Sequence, residues 1–224
     1  MNQPAENPTP FQVKDCALIA LATGTQVNNL RELKEGLKHC PDGVIYHLFW
    51  GGRLRPGFEG PEYFNDLAHW VRHSLHDQRS AEKLALIDPT ACTATDELRV
   101  GVLDVLDECL YEKDHIVSCE PGRHLDFTTS QIVVFETGRT VSETGLLSVV
   151  VEQMSLSSIF YHFIDARRRT DGGTDDFTAW LAETSADSAP AVSRLADVDP
   201  YFCSLAQLQV RIVEALSFLA GGVV

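Results

Sequence analysis

Ala20–Gly24 reads ALATG, and 114 residues later Val134–Gly138 reads VFETG. Outward from this pair the echoes continue in the same order. Val44–Leu48 (VIYHL) returns as Ile159–Phe163 (IFYHF), Asn65–Trp70 (NDLAHW) as Asp175–Trp180 (DDFTAW), and Leu84–Pro89 (LALIDP) as Leu195–Pro200 (LADVDP), at offsets of 115, 110 and 111. Self-similarity at a nearly fixed period predicts two homologous halves. The boundaries that follow are an unstructured N-terminus over 1–10, a repeat over 11–113, a linker over 114–124 and a second repeat over 125–221. Pro121 and Gly122 mark the linker.

Most of each half carries helical spacing. Asn29 and Glu32 fit an N-cap and its reciprocal partner ahead of Leu30, Leu33 and Leu37. Asp42 and Ser157 stand where they can cap the two Tyr-His helices. A further helix is expected over about Tyr63–Gln78, ending before Asp88-Pro89, because the residue before proline disfavours the helical region. Thr93 with Asp96, and Ser204 with Gln207, predict capping boxes for the last helix of each half, whose apolar residues fall on one side. The opening segment reads two ways. Cys16–Ala22 (CALIALA) suits a buried helix, whereas Gln131–Phe135 (QIVVF) is rich in strand formers. Taken together, the pattern predicts a mainly α protein: two homologous helical repeats packed with pseudo-twofold symmetry, with room for a short strand at the start of each.

The chain has 224 residues, 44% of them hydrophobic and 22% charged, which is the balance of a folded globular protein. Its formal charge is −14 and its pI about 4.9. Such a surface repels phosphate backbones, so neither nucleic acid nor an anionic membrane is an expected partner. No apolar run approaches the length of a membrane span, and Met1–Pro10 lacks the parts of a signal peptide. Six scattered cysteines without a CxxC pair fit reduced thiols in a cytoplasm.

Three clusters are candidates for chemistry. The first is the pair of Tyr-His dipeptides, Tyr46-His47 and Tyr161-His162. Their helices are apolar on every side, so each imidazole is expected to be buried and to need a partner. Asn65 or Asp66 in the first half and Asp165 or Asp176 in the second are positioned to supply one. The same histidines could instead act as ligands or general bases. The second cluster is a stripe of His69, His73 and His76 with Asp66 and Asp77 beside it, at helical spacing on the face opposite Leu67, Val71 and Leu75. Imidazoles and carboxylates suit a divalent metal, but on the face opposite the core a solvated polar stripe is the default reading. The second half has no histidine there, and no residue is assigned as a metal ligand. The third cluster is basic: Arg53 and Arg55 after one Tyr-His helix, Arg167, Arg168 and Arg169 after the other. Cations at a helix C-terminus are favoured by its dipole; the alternative is an anion-binding pocket. There is no GxSxG, HExxH, CxxC or glycine-rich phosphate loop, so no cofactor is expected.

The order ATG…NLREL…IYH…ND-x-A-x-W…IDP, carried here by Ala22–Gly24, Asn29–Leu33, Ile45–His47, Asn65-Asp66, Trp70 and Ile87–Pro89, resembles a family of bacterial and archaeal proteins known as a domain of unknown function. The resemblance covers nearly the whole chain. It implies a cytoplasmic protein, in some members one encoded near sugar-transferring enzymes. It implies no activity and transfers no catalytic residue. Two functional expectations follow. One is a non-catalytic interaction or regulatory module that binds a protein or a small molecule. The other is a metal-dependent hydrolase of phosphorylated or sugar-linked substrates, using His47, His73, His76, Asp66 and Asp77 with the arginines holding the anion.

Overall fold

A computed structural model describes residues 9–54, 62–92, 94–170 and 172–222. Arg55, Thr93 and residues 1–8 of the expected unstructured N-terminus lie outside the described residues. The segment read as a buried helix over Cys16–Ala22 is instead part of strand β1, Phe11–Val27, which pairs antiparallel with β2, Leu125–Val141.

That pairing overturns the expectation of a mainly helical protein made of two helical repeats about a pseudo-twofold axis: the fold is α/β. The physical reason lies in the opening segments. Each is seventeen residues long, and each finds its backbone partners on the other strand, more than 100 residues away in sequence. A short apolar run such as CALIALA carries no period that distinguishes strand from buried helix, so the long-range partner decides. The two Thr-Gly pairs show the register. Thr23 Oγ1 donates to Phe127 O at 2.8 Å and Thr137 Oγ1 to Val13 O at 2.5 Å. The glycine after each threonine has positive φ, +81° at Gly24 and +72° at Gly138, a conformation that strains any other residue inside a strand.

The chain divides into two compact units, Leu18–Val133 and Met1–Ala17 with Val134–Val224. In the 18–133 unit, α1 (Leu30–His39), α2 (Asp42–Tyr46) and α4 (Gln78–Ala85) pack against the long α5 (Thr95–Tyr111), and α3 (Asp66–Ser74) packs on α4. The core holds Leu33, Leu37, Ile45, Leu67, Leu84, Leu106 and Phe127, all fully buried. Asn29 caps α1 as expected, its side chain accepting from Glu32 N at 3.0 Å. Asp42 is the first residue of α2 rather than its cap, and it takes a hydrogen bond from Arg99 at 2.5 Å.

In the second unit, α11 (Leu205–Leu216) packs against α6 (Leu147–Glu152), α7 (Leu156–Ile159) and α10 (Ala189–Ala196), and α9 (Asp176–Thr184) packs on α10. A short α8 (Ala166–Arg169) carries the three arginines. Ser204 and Gln207 form the expected reciprocal capping box of α11. Ser155, not Ser157, caps α7. No helix among the described residues is long and apolar enough to cross a membrane.

Candidate functional site

Both Tyr-His dipeptides meet π-helical turns, His47–Gly51 and Phe160–Asp165, a wide backbone geometry that often marks a constrained site. Both histidines are buried, as their apolar surroundings predict.

His162 has both ring nitrogens engaged. Nδ1 is 2.8 Å from Asp176 Oδ2, and Nε2 accepts the backbone N–H of Lys14 in β1 at 2.9 Å. An acceptor at Nε2 places the ring proton on Nδ1, facing the carboxylate. Asp176 also accepts from Arg169 at 3.1 Å. Arg169 in turn reaches Asp165 Oδ2 at 2.9 Å and Tyr161 O at 3.0 Å, with its guanidinium 4.0 Å from the centre of the Tyr161 ring. Arg168 holds the other oxygen of the buried Asp165 at 2.9 Å. One face of His162 lies against Phe11 and another against Phe177. Of the two expected partners, Asp176 meets His162, while Asp165 joins the network through Arg168 and Arg169, which were read as a separate basic cluster. The network closes on itself and on β1.

The neighbouring polar groups are also occupied. Ser158 Oγ donates to Lys14 O at 2.6 Å and Ser155 Oγ to Asp15 Oδ2 at 2.9 Å. The Cys16 thiol donates to Ser157 O, and burial, helped by Asp15, pushes it up to about 12, so it stays protonated and is no nucleophile. Asp175 is buried at the N-cap of α9 and accepts from Thr178 N and Oγ1, both at 2.8 Å. Burial raises its carboxyl above the ordinary value, and the two Thr178 hydrogen bonds offset that only in part.

His47 meets a hydroxyl instead: its Nδ1 is 2.5 Å from Ser130 Oγ on β2. Sequence reasoning missed Ser130, which carries no local signal for a contact 83 residues away. It also missed Gly51, where a Cβ would lie 2.5 Å from His47 Nδ1, and Gly43, where a Cβ would collide with Thr129 Oγ1. The adjacent Gly51-Gly52 after an aromatic run is the legible trace of that close approach. Arg53, 3% exposed, lies over the rings of Trp50 and Phe64 at 5.5 and 5.2 Å. Arg167 lies over Phe163 at 4.8 Å.

The histidine stripe comes apart. His69 and His73 lie with tilted rings, centres 4.5 Å apart, on the exposed face of α3, and His73 Nε2 contacts Glu62 at 3.1 Å. The helix then ends: His76 takes a left-handed φ of +54° and the chain turns into α4. Asp77, read on the same helix, is the N-cap of α4. It accepts from Ser80 N at 3.2 Å and pairs with Lys113 at 2.7 Å. Burial pushes its carboxyl up, but the hydrogen bonds from Lys113 and Ser80 prevail and hold it below the ordinary value. Asp66 stands in the first turn of α3. Among the described residues no three His, Cys, Asp or Glu side chains converge as metal ligands.

The profile of a family described as a family of unknown function, DUF5752, matches residues 8–217. Among solved structures, OrfY from Thermoproteus tenax is similar at 26% identity and a TM-score of 0.80, covering 97% of this chain and 99% of that one. No curated protein matches the chain.

Proposed function

The chain belongs to the DUF5752 family, and we propose for it a non-catalytic role, as an interaction or regulatory module acting in the cytoplasm and presenting an acidic surface to a protein or small-molecule partner. The observation that carries this reading is the closed network around His162. A general base needs a lone pair free to meet substrate, and here one nitrogen faces Asp176 while the other takes a backbone N–H. The carboxylates and arginines nearest it hold one another. These groups brace the chain. All six cysteines are free thiols, which supports a reducing compartment, and the charge of −14 disfavours nucleic acid.

The metal-dependent hydrolase has less support, because Asp77 is occupied by Lys113 and the break at His76 removes the continuous helix on which its ligand stripe depended. The two readings separate in one assay. Untagged protein is supplied with zinc, manganese or iron and tested for hydrolysis of phosphate esters, beside His73→Ala. A non-catalytic module gives no turnover above the metal blank, and His73→Ala changes stability by less than about 0.5 kcal/mol, as an exposed site should. Turnover that disappears in His73→Ala overturns the proposal.

A further inference from the structure

We propose that His162 is a proton-operated latch: when its ring gains a second proton, it keeps Asp176 of α9 and lets go of the start of β1.

The geometry makes the release one-sided. In the neutral ring Nε2 accepts the Lys14 N–H at 2.9 Å, and Nδ1 carries the proton that faces Asp176 Oδ2 at 2.8 Å. A histidinium is a donor at both nitrogens. Its Nδ1 bond to the carboxylate survives and becomes charge-assisted. At Nε2, two N–H groups would then face each other with no acceptor between them. His162 is 2% exposed, so solvent supplies an acceptor only if the strand moves.

The charged groups around the ring are paired with one another. Asp176 on α9 meets Nδ1 and Arg169, while Asp175 beside it is tied to Thr178. Asp165, in the same turn as His162, holds Arg168 and Arg169 of α8. On β1 the Lys14 ammonium pairs with Glu136 of β2 at 3.2 Å, and Asp15 takes the Ser155 hydroxyl. The α7 segment Leu156–Ile159 carries no charge, and Phe11, Tyr161 and Phe177 complete the surroundings of the ring. Within this set the imidazole is the group whose chemistry suits a switch between about pH 5 and 8. The release is local: Ser158 Oγ still donates to Lys14 O at 2.6 Å and Trp180 Nε1 to Thr9 O at 2.8 Å, so the strand loosens without leaving. The latch adds regulation to the bracing role of the network. Turnover would overturn that role, whereas the latch fails at the Lys14 amide.

The test is an NMR titration of the full chain from pH 8 to pH 5. It follows the ring nitrogens of His162 and the amide of Lys14, with hydrogen exchange corrected for the intrinsic effect of pH. The proposal expects the ring to pass from the Nδ1–H tautomer to the imidazolium. Over the same range, protection of the Lys14 amide should fall at least about tenfold. His162→Gln, whose side-chain oxygen can accept the same N–H but does not titrate, should hold that protection flat. Asp176→Asn, which lacks the anion that favours the charged ring, should move both transitions together to lower pH. If neither variant folds, the two wild-type titrations decide alone. A ring that stays neutral down to pH 5, a ring that protonates while Lys14 stays protected, or a Lys14 transition that persists in His162→Gln overturns the proposal.

Discussion

His162 and His47 follow the same residue, meet the same kind of wide helical turn and are both buried, and their described contacts reach different strands. His162 sits in a carboxylate–imidazole–guanidinium network, whereas His47 meets the Ser130 hydroxyl. What they share is the element they grip. His162 takes a backbone N–H of β1 and His47 takes a side chain of β2. Each histidine fastens a helical turn to a strand, and the chemistry around it is fitted to that task. The Tyr-His dipeptide is therefore an anchor between secondary structures, and the ionic network is one way of satisfying it.

Removing either histidine therefore costs the protein a fastening between a helical turn and a strand. His162→Ala removes an aromatic ring packed on Phe11 and Phe177 and leaves both the Lys14 N–H and part of Asp176 without partners. Loss of one member of a buried pair typically costs ~3–5 kcal/mol, and the partial exposure of Asp176 places this one near the lower end. His47→Ala removes the described partner of the half-buried Ser130 hydroxyl, a loss of ~1–3 kcal/mol for that contact. Chemical denaturation of the two variants measures the difference. Equal losses would mean that ring packing, rather than hydrogen bonding, is what the histidines contribute.

The His47 anchor has a steric requirement that sharpens the comparison. A Cβ at Gly51 would stand 2.5 Å from His47 Nδ1 and 2.8 Å from Cγ, so the ring must leave its place. Overpacking of this kind costs about 1–3 kcal/mol. Alanine is also the better helix former, by about 0.8–1 kcal/mol, which opposes the loss. Gly51→Ala should therefore destabilise the wild type but become neutral or stabilising in a His47→Ala background. A double-mutant cycle reads this directly. Additive effects would show that the glycine is required by something other than the ring.

These contacts also show which parts of the structure could be read in the sequence. The caps at Asn29 and Ser204 were legible because they act within three residues. The burial of His47 and His162 followed from their all-apolar helices, and the Asp176 partner from the need to satisfy a buried imidazole. The solvated face of His69 and His73 followed from helical spacing. The strands were not legible. Nothing within CALIALA distinguishes a helix from a strand, and the partner that decides lies on β2. For the same reason Lys14 and Ser130 escaped notice: each reaches its histidine across 83 residues or more. The stripe failed locally instead. Helical spacing placed His76 and Asp77 near the face of His73, but α3 ends at Ser74 and His76 itself is left-handed.

The smallest expected effect concerns the caps of the two tryptophan-bearing helices. Asn65 and Asp175 are both buried N-caps, five residues ahead of Trp70 and Trp180. Each takes the backbone N–H three residues on, Ala68 and Thr178, at 2.8 Å. Asparagine and aspartate cap equally well; they differ in that only the aspartate ionises. Burial raises the Asp175 carboxyl above 3.8, so its protonated form suits the folded state better than its charged form does. Its favourable contribution is complete below the unfolded value and is lost as pH rises through the raised folded value. Asp175→Asn, which installs the residue that already works at position 65, should remove that slope. Melting temperatures of variant and wild type should coincide near about pH 3 and separate above it in favour of the variant. A variant that is less stable at neutral pH would show instead that the ionised carboxylate, held by Thr178 and the nearby positive charge of Arg167, is worth more to this unit than its burial costs.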